Sequence, residues 1–258
     1  MSEDIQRFVI PNNGPETESI LHALAHYVEY CQHSTSVLDA LLIVPTKQQL
    51  EGTVIDEVIG IGCAKQLLKG KPVDVQGGGS LLLKTERTFR GAWHGEVLIV
   101  IYPTKKMLNA VDACLTISAV VVVPWIMEEI SEWVRSWSPS LLGDVQSGVT
   151  PLNINAVVQE GLKALTSRVN LSTGLAHPSD RSAAIGLFRI LQKAGEALDA
   201  DEIRAWAMRN NWIPRGADDL CEVVQGVLAR KRFKTSRSGG WATNILDILR
   251  ERAAGDAQ

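Results

Sequence analysis

Hydrophobic positions form two uninterrupted runs near the middle of the chain, and each run is followed by apolar positions at helical spacing. Val97 to Tyr102 and Ala119 to Val123 show no polar alternation, which is typical of strands covered on both faces in a parallel sheet. The helical positions are Met107, Leu108, Val111 and Leu115 after the first run and Ile126, Ile130, Trp133, Val134 and Trp137 after the second. This βαβ pattern predicts two neighbouring parallel strands in an α/β fold.

One motif occurs twice. Leu41–Leu50 and Ile99–Leu108 both read as a strand, then Pro-Thr-Lys, two residues and Leu, and the third apolar strand also ends in proline, at Pro124. Proline fixes φ and lacks an N–H that the first helical turn leaves unpaired, so it is expected at the start of each following helix. The repeat therefore predicts three strands that end at one common edge.

The rest of the first half supplies further elements. Residues 1–15 are expected to be an irregular lead-in, and Lys84 to Gly95 an antiparallel addition at the sheet edge. The other predicted elements are a helix over 16–33, a strand over 37–44, a helix over 54–68 and a short strand over 73–75. Gly60 and Gly62 lie inside the second helical pattern and indicate close helix packing, because a dinucleotide fingerprint would need a strand directly before them. The glycine run 76–80 predicts a hairpin connection, with a ligand-facing loop as the alternative.

Together these patterns predict the fold and its domains. Residues 1–138 are expected to form a mostly parallel, Rossmann-like sheet of about five strands flanked by helices. Residues 139–152 are the predicted linker, and residues 153–258 the predicted mainly helical domain. That domain is expected to end in a winged-helix-like unit at about 198–254, built on helical patterns after Asp199 and Pro214 and on a closing helix from Asn244.

Composition and charge narrow the class of protein. The chain has 258 residues, 45% of them hydrophobic and 21% charged, an ordinary globular mixture. No signal-like start and no apolar run of about 20 residues is present, so a cytoplasmic protein without membrane contact is expected. Residues 1–150 hold 11 Lys/Arg against 17 Asp/Glu, net −6, whereas residues 151–258 hold 15 against 12, net +3. Any affinity for polyanions is therefore expected in the second half.

The strongest candidate for binding is a basic segment after the last long helical pattern. Its predicted nucleic-acid-binding residues are Arg230, Lys231, Arg232, Phe233, Lys234 and Arg237. With the following Gly-Gly turn and Trp241, the segment resembles the wing of a winged helix-turn-helix module. The preceding helix carries Asp218, Asp219 and Glu222, which repel phosphate, so sequence-specific duplex reading is not expected. Non-specific nucleic-acid contact, a protein partner, self-association and a solvated charge run stay open.

A polar loop provides a weaker candidate. Ser172, Thr173 and His177 lie just before a helix predicted from Arg181, together with Ser179 and Asp180, either of which is expected to cap that helix. Capping and turn formation are the first interpretation, and a site for an anion or partner is the second. Catalysis is disfavoured, because one short loop rarely places nucleophile, base and oxyanion donors around a common point.

A second weak candidate lies at the predicted strand-end edge. Thr46, Lys47, Thr104 and Lys105 would bring two hydroxyls and two ammonium groups beside helix N-termini, where parallel sheets bind ligands. A nucleotide or phosphate-like anion is the ligand that this set predicts, and a solvated helix start is the simpler interpretation. Residues 44–50 also resemble a strand-to-helix motif of superfamily-two helicases. The Gly-Lys-Thr loop and Asp-Glu pair of that family are not found in this sequence, so the resemblance implies the geometry alone.

No catalytic residue, metal site or cofactor is predicted. The cysteines Cys31, Cys63, Cys114 and Cys221 lie far apart without C-x-x-C spacing, and His22 and His26 have no third ligand at a recognised spacing. We therefore expect a non-enzymatic cytoplasmic binding or regulatory protein. The alternative is an enzyme or sensor that binds a nucleotide or phosphate-like anion at the strand-end edge.

Overall fold

The computed structural model describes residues 5–34, 38–142, 152–235 and 240–255. The chain divides into two compact units, one of Met1–Val134 with Ser138–Val149 and one of Arg135–Trp137 with Thr150–Gln258. Each unit has its own hydrophobic core. The first is a mixed α/β unit and the second is helical.

A seven-stranded sheet forms the centre of the first unit. Its strands are β1 Gln6–Val9, β2 Ala40–Val44, β3 Val73–Asp74, β4 Ser80–Thr85, β5 Val97–Ile101, β6 Ala119–Val123 and β7 Ser140–Leu141. Its helices are α1 Thr17–Gln32, α2 Val54–Ile59, α3 Ile61–Leu68, α4 Lys105–Asp112 and α5 Ser131–Trp137, with 3-10 turns at Lys47–Leu50 and Met127–Ile130. The strand order is β3-β4-β2-β5-β6-β1-β7, and every pair is parallel except β3–β4.

The central prediction of parallel, covered strands is confirmed. β5 and β6 are adjacent and parallel, in register from Val97 opposite Ala119 to Ile101 opposite Val123. Every residue of β2, β5 and β6 is buried, on both faces of the sheet. This is why these strands carry no polar alternation.

Two predictions about the sheet were wrong. Residues 1–15 are not merely a lead-in, because β1 inserts between β6 and β7, with Gln6 opposite Ala119. Residues 86–95 form no strand in the described chain, and β3 supplies the antiparallel edge instead. β1 is only four residues long, and three of these residues are at least partly exposed. Its sequence therefore lacks the apolar run that marks the buried strands, and its formation depends on pairing with β6, which is distant in sequence.

The glycine run joins β3 to β4 as the predicted hairpin connection, and its glycines are explained by packing. The Tyr27 hydroxyl donates to the Leu38 carbonyl at 2.6 Å and accepts the Gly79 N–H at 2.8 Å. A β-carbon at Gly78 would lie 2.9 Å from the Tyr27 ring, and one at Gly79 would overlap the Leu38 carbonyl. The run is therefore shaped to the buried tyrosine.

The predicted helix over 54–68 is interrupted. Gly60 has φ of 84° and separates α2 from α3, a conformation that favours glycine. Close packing was the wrong explanation for Gly60 and Gly62, because nothing lies within 4 Å of a β-carbon built at either position.

The second unit consists of helices around its own core. They are α6 Ala156–Thr166, α7 Pro178–Lys193, α8 Ala200–Arg209, α9 Pro214–Leu228 and α10 Ile245–Gly255. α9 packs on α7 and α8, and α10 packs on α6. Asp199 caps α8, accepting the N–H groups of Asp201 and Glu202 at 2.9 and 3.0 Å, as its position predicts. The cap of α7 was predicted wrongly, since the His177 ring accepts the Ser179 N–H.

Candidate functional site

The basic segment follows α9 directly, and the structure describes it from Arg230 to Thr235. Arg230 has φ of 53°, so the backbone turns sharply away from the helix there. Residues 231–235 form no helix or strand, and the predicted wing strand is not seen in this described part. Arg237 lies outside the described residues.

The four described cations of this segment have no ion-pair partner among the residues that the structure describes. Arg230, Lys231, Arg232 and Lys234 are all exposed. Within the described part of the chain, none of these four side chains forms an ion pair. The basic segment therefore presents consecutive positive charges to solvent. This is the electrostatic feature that attracts phosphates.

Phe233 has a different environment from its neighbours. It is partly buried and packs against the second core, with the outer edge of its ring against Gly226 of α9. The Arg189 guanidinium, from the exposed side of α7, lies 5.7 Å from the ring centroid, within cation–π range. Arg189 therefore adds a fifth cation beside the segment. Arg189 could not be predicted as part of the site, because helical periodicity marks it only as a solvent-facing position on another helix.

Trp241, on the far side of the segment, is also held by the helices. Its indole N–H donates to the Ala183 carbonyl at 2.8 Å. Its ring lies close to Gly186, where a β-carbon would be 3.2 Å from the indole. The Arg168 guanidinium lies 4.3 Å from the ring centroid and donates to the Gly240 carbonyl at 3.3 and 3.2 Å. Arg168 thus stabilises the return of the chain to the helical core.

The acidic residues predicted on α9 are largely neutralised by arginines. Asp218 pairs with the buried Arg204 at 2.7 Å, and Glu222 pairs with Arg181 at 3.0 Å. These pairs connect α9 to α8 and α7. α9 is therefore used mainly for packing within the unit, and its one basic side chain is the exposed Arg215 in the first turn.

The polar loop forms local hydrogen bonds. Ser172 donates from Oγ to Asn170 Oδ1 at 2.7 Å, and Thr173 donates to the Asn170 carbonyl at 3.2 Å. Ser179 Oγ lies 2.6 Å from His177 Nδ1 and 3.0 Å from Asp180 Oδ1. The hydroxyl thus lies between imidazole and carboxylate, whereas a hydrolytic triad needs the imidazole between the other two. Capping and turn formation account for these contacts.

The strand-end edge contains its own carboxylates. Glu86, after β4, accepts the Thr104 hydroxyl at 2.7 Å and the Lys106 ammonium at 2.9 Å. Lys105 pairs with Glu132 at 2.9 Å. The hydrogen bond from Lys106, followed by that from Thr104, lowers the pKa of the Glu86 carboxyl below its ordinary value.

At the end of β2, the polar groups of Thr46 and Lys47 form hydrogen bonds within the first unit. Lys47 donates to the Leu68 carbonyl at 3.0 Å, and the Thr46 N–H donates to Gln49 Oε1 at 3.2 Å. Both threonines stand just before a helical turn as N-caps, so each proline lies two positions before the first helical residue, the position at which it was expected. The four predicted residues therefore lie at this edge with their polar groups largely engaged.

Tyr102 also lies at this edge and was not anticipated. It has φ of 52°, a conformation uncommon for a side-chain-bearing residue, and packs edge-on to Trp125 with centroids 5.0 Å apart. Burial, and secondarily the charge of Glu16, raises the pKa of its hydroxyl. The Tyr102 ring belongs to the core next to the strand ends, and it adds no positive charge for binding an anion.

At the opposite, amino-terminal ends of the strands, the first unit has a cleft of about 600 Å³. Phe8, His26 and Tyr30 line it together with Glu29 and Glu96. Burial lowers the pKa of His26, while Glu29 partly opposes that shift. Among the described residues that line it there is no Lys or Arg, so the described lining does not favour an anion.

No set of three or more His, Cys, Asp or Glu side chains in the described ranges is placed to hold a metal ion. Among the helices that the structure describes, none combines the length and apolar character needed to cross a bilayer.

Comparisons with known proteins concern mainly the second unit. Residues 154–250 match a family described as "Domain of unknown function (DUF1889)". A crystal structure of a protein from Salmonella typhimurium is 18% identical, with a TM-score of 0.34, over 38% of this chain and 98% of that one. A solution NMR structure from the same organism is 17% identical, with a TM-score of 0.34, over 40% of this chain and 94% of that one. No curated protein matches the sequence.

Proposed function

We propose that this chain is a non-enzymatic binding protein whose second unit contacts nucleic acid through its basic segment, without sequence specificity. One observation carries the proposal. Arg230, Lys231, Arg232 and Lys234 are exposed and have no ion-pair partner in the described chain. Neutralising phosphates releases condensed counterions, so such a surface gains affinity for any nucleic-acid backbone.

At the other two candidate anion sites, the polar groups already have partners within the chain. At the strand-end edge, Glu86 and Glu132 offset the charges of Lys106 and Lys105. In the polar loop, the hydroxyls of Ser172 and Thr173 bond to Asn170. An anion at either place would have to displace existing partners, whereas one at the basic segment would not.

We propose that the second unit binds as a winged-helix-like module. α8 and α9 are joined by the short turn 210–213 and pack on each other, as a helix-turn-helix pair does. The basic segment follows α9 in the position of a wing. Because α9 carries Asp218 and Glu222, we propose that the segment, and not α9, contacts the phosphates.

The first unit has a different proposed role. It carries most of the negative charge, since residues 1–150 sum to −6. We propose that it serves as a Rossmann-like docking domain for a protein partner in the cytoplasm. This role does not require a ligand at the strand-end edge.

Fluorescence anisotropy with a labelled DNA duplex tests the nucleic-acid proposal. The test variant replaces Arg230, Lys231, Arg232 and Lys234 with serine. The control variant replaces four exposed lysines of the first unit with serine, namely Lys65, Lys69, Lys71 and Lys84. Both variants change the net charge by the same amount, so a difference between them reports position and not overall charge.

We expect the control to bind like the wild type and the test variant to lose binding. With about four phosphates neutralised, the affinity of the wild type should fall roughly a hundredfold between about 50 and 200 mM salt. Equal losses in the two variants, or no binding by the wild type at the lowest salt, would overturn the proposal. Protein contact or self-association would then be the remaining role for the segment.

A further inference from the structure

We infer that the nucleic-acid-binding surface extends from the basic segment onto α7, and that Arg189 and Lys193 contact phosphates there. The inference rests on the proposed function and specifies which helix lies against the nucleic acid. In helix-turn-helix proteins, the N-terminal residues of the second helix contact the bases in the major groove. The corresponding helix in this unit is α9, and its charges differ from those of α7.

Arg189 and Lys193 lie four residues apart, on one face of the C-terminal half of α7. Both are exposed, and neither forms an ion pair with any residue that the structure describes. Gly186 precedes Arg189 by three residues on the same face, and the Trp241 ring lies close to it. From Arg189 to the end of the helix, this face therefore presents positive charge to solvent.

Two contacts place this face beside the basic segment. The Arg189 guanidinium lies 5.7 Å from the centroid of the Phe233 ring, which belongs to the segment. The Gln192 amide donates to the Val227 carbonyl at 3.2 Å, and Val227 is only three residues before Arg230. The cations of α7 and those of the segment are therefore neighbours, although about 40 residues separate them in sequence.

The carboxylates of the adjoining turns are paired with other cations. Glu196, three residues beyond Lys193, pairs with Arg250 at 3.3 Å. Glu222 of α9 pairs with Arg181 at 3.0 Å, and α7 itself has no Asp or Glu after Asp180. A phosphate at this face would therefore not have to displace a carboxylate.

α9 has a mixed charge at its N-terminal end. Its one basic residue, Arg215, is exposed in the first turn, and Asp218 and Asp219 follow within one turn. At 1.5 Å per residue, Arg215 lies about 20 Å along the helix axis from the end of α9, where the basic segment begins. A duplex that follows the segment therefore gains more from the two cations of α7 than from this end of α9.

Fluorescence anisotropy of the full chain with a labelled duplex, between about 50 and 200 mM salt, tests the inference. Each phosphate contact that is lost lowers the slope of log affinity against log salt by about one. The double variant Arg189→Gln with Lys193→Gln should therefore lower the slope by about two. With about six contacts in place of the four of the segment alone, the affinity of the wild type should fall roughly a thousandfold over this range.

Two controls match the test variant. Lys65→Gln with Lys69→Gln makes the same charge change at the same spacing on α3, at exposed positions, and should leave the slope unchanged. Arg215→Gln removes a cation from α9 and should also leave it unchanged. Arg189→Lys keeps the charge, so it should retain the slope of the wild type, whereas a purely structural role of the guanidinium on the Phe233 ring would not predict this rescue.

Circular dichroism shows whether each variant is folded. If the double variant does not fold, Lys193→Gln alone should lower the slope by about one, since this exposed side chain has no ion pair in the described chain. A folded double variant with the slope of the wild type would overturn the inference and leave the proposed function standing. An equal loss of slope in Arg215→Gln and Lys193→Gln would also overturn it. No binding by the wild type would overturn the proposed function, and the inference with it.

Discussion

Phe233 packs directly on the backbone of α9 at Gly226, where a β-carbon would overlap the aromatic ring. Phe233 belongs to the basic segment, yet it is partly buried on the second core. The contact fixes the middle of the segment on the helices and leaves its cations on the outer side. Position 226 thus requires glycine because the Phe233 ring leaves no room for a side chain, and not because of a backbone turn.

Gly226→Ala is expected to lower the free energy of unfolding by about 1 kcal/mol or more. Overpacking of about 1–3 kcal/mol outweighs the helix-propensity gain of about 1 kcal/mol. Urea unfolding measures the change. Gly62→Ala is the matched control, because that helical position is open and alanine should stabilise it by up to about 1 kcal/mol. A Gly226→Ala protein as stable as the wild type would show that Phe233 does not pack there.

Tyr27→Phe is expected to destabilise the first unit by about 1–3 kcal/mol. The change removes the hydroxyl that serves the Leu38 carbonyl and the Gly79 N–H, and leaves both backbone groups buried without that partner. Thermal unfolding followed by circular dichroism checks the value. Tyr30→Phe, on the same helix but only partly buried, should change stability by less than about 0.5 kcal/mol. Equal effects of the two substitutions would refute the role given to the Tyr27 hydroxyl.

The stability of the first unit is expected to fall as the pH drops below about 6.5. Burial lowers the pKa of His26 in the folded state, so the unfolded state binds its proton first. The contribution of neutral His26 is fully present above the unfolded pKa and is lost as the pH falls through the lowered folded pKa. The midpoint of urea unfolding between pH 8 and pH 5.5 measures this dependence.

His26→Gln should reduce this dependence on pH. The control is His22→Gln at an exposed position of the same helix, which should keep the slope of the wild type. A His26→Gln protein with an unchanged slope would assign the pH effect to other groups.

Glu86→Gln is expected to create an affinity for small anions at the strand-end edge. The substitution removes the charge that offsets Lys106 and weakens the acceptor of the Thr104 hydroxyl. Isothermal titration with pyrophosphate at low salt should detect binding to the variant in addition to any that the wild type shows through its basic segment. Glu57→Gln makes the same charge change at an exposed position of α2 and should have no effect. Pyrophosphate binding of equal strength to the wild type would contradict this prediction.

Much of the fold could be predicted because its signals are local. The apolar runs of β5 and β6 reflect burial on both faces, and the Asp199 cap needs only the next three residues. β1 and the break at Gly60 escaped prediction for opposite reasons. β1 depends on pairing with β6, and Gly60 has a positive φ that helical periodicity does not reveal.

The candidate site divides in the same way. Exposed basic residues after α9 were apparent as a run, but the environment of Phe233 was not, because Gly226 and Arg189 reach it from two helices. Charge pairing at the strand-end edge, which was a weak candidate, was not apparent either, since Glu86 and Glu132 come from other parts of the chain.

Residue order alone predicts the parallel core of the first unit, the helical character of the second and the excess of positive charge after α9. Residue type and spacing decide these properties, because burial on a strand or helix repeats along the chain. Which of the charges remain unpaired, and how the aromatic rings pack, is set by the folded arrangement. Those properties depend on distances between residues far apart in sequence, and only folding brings such residues together.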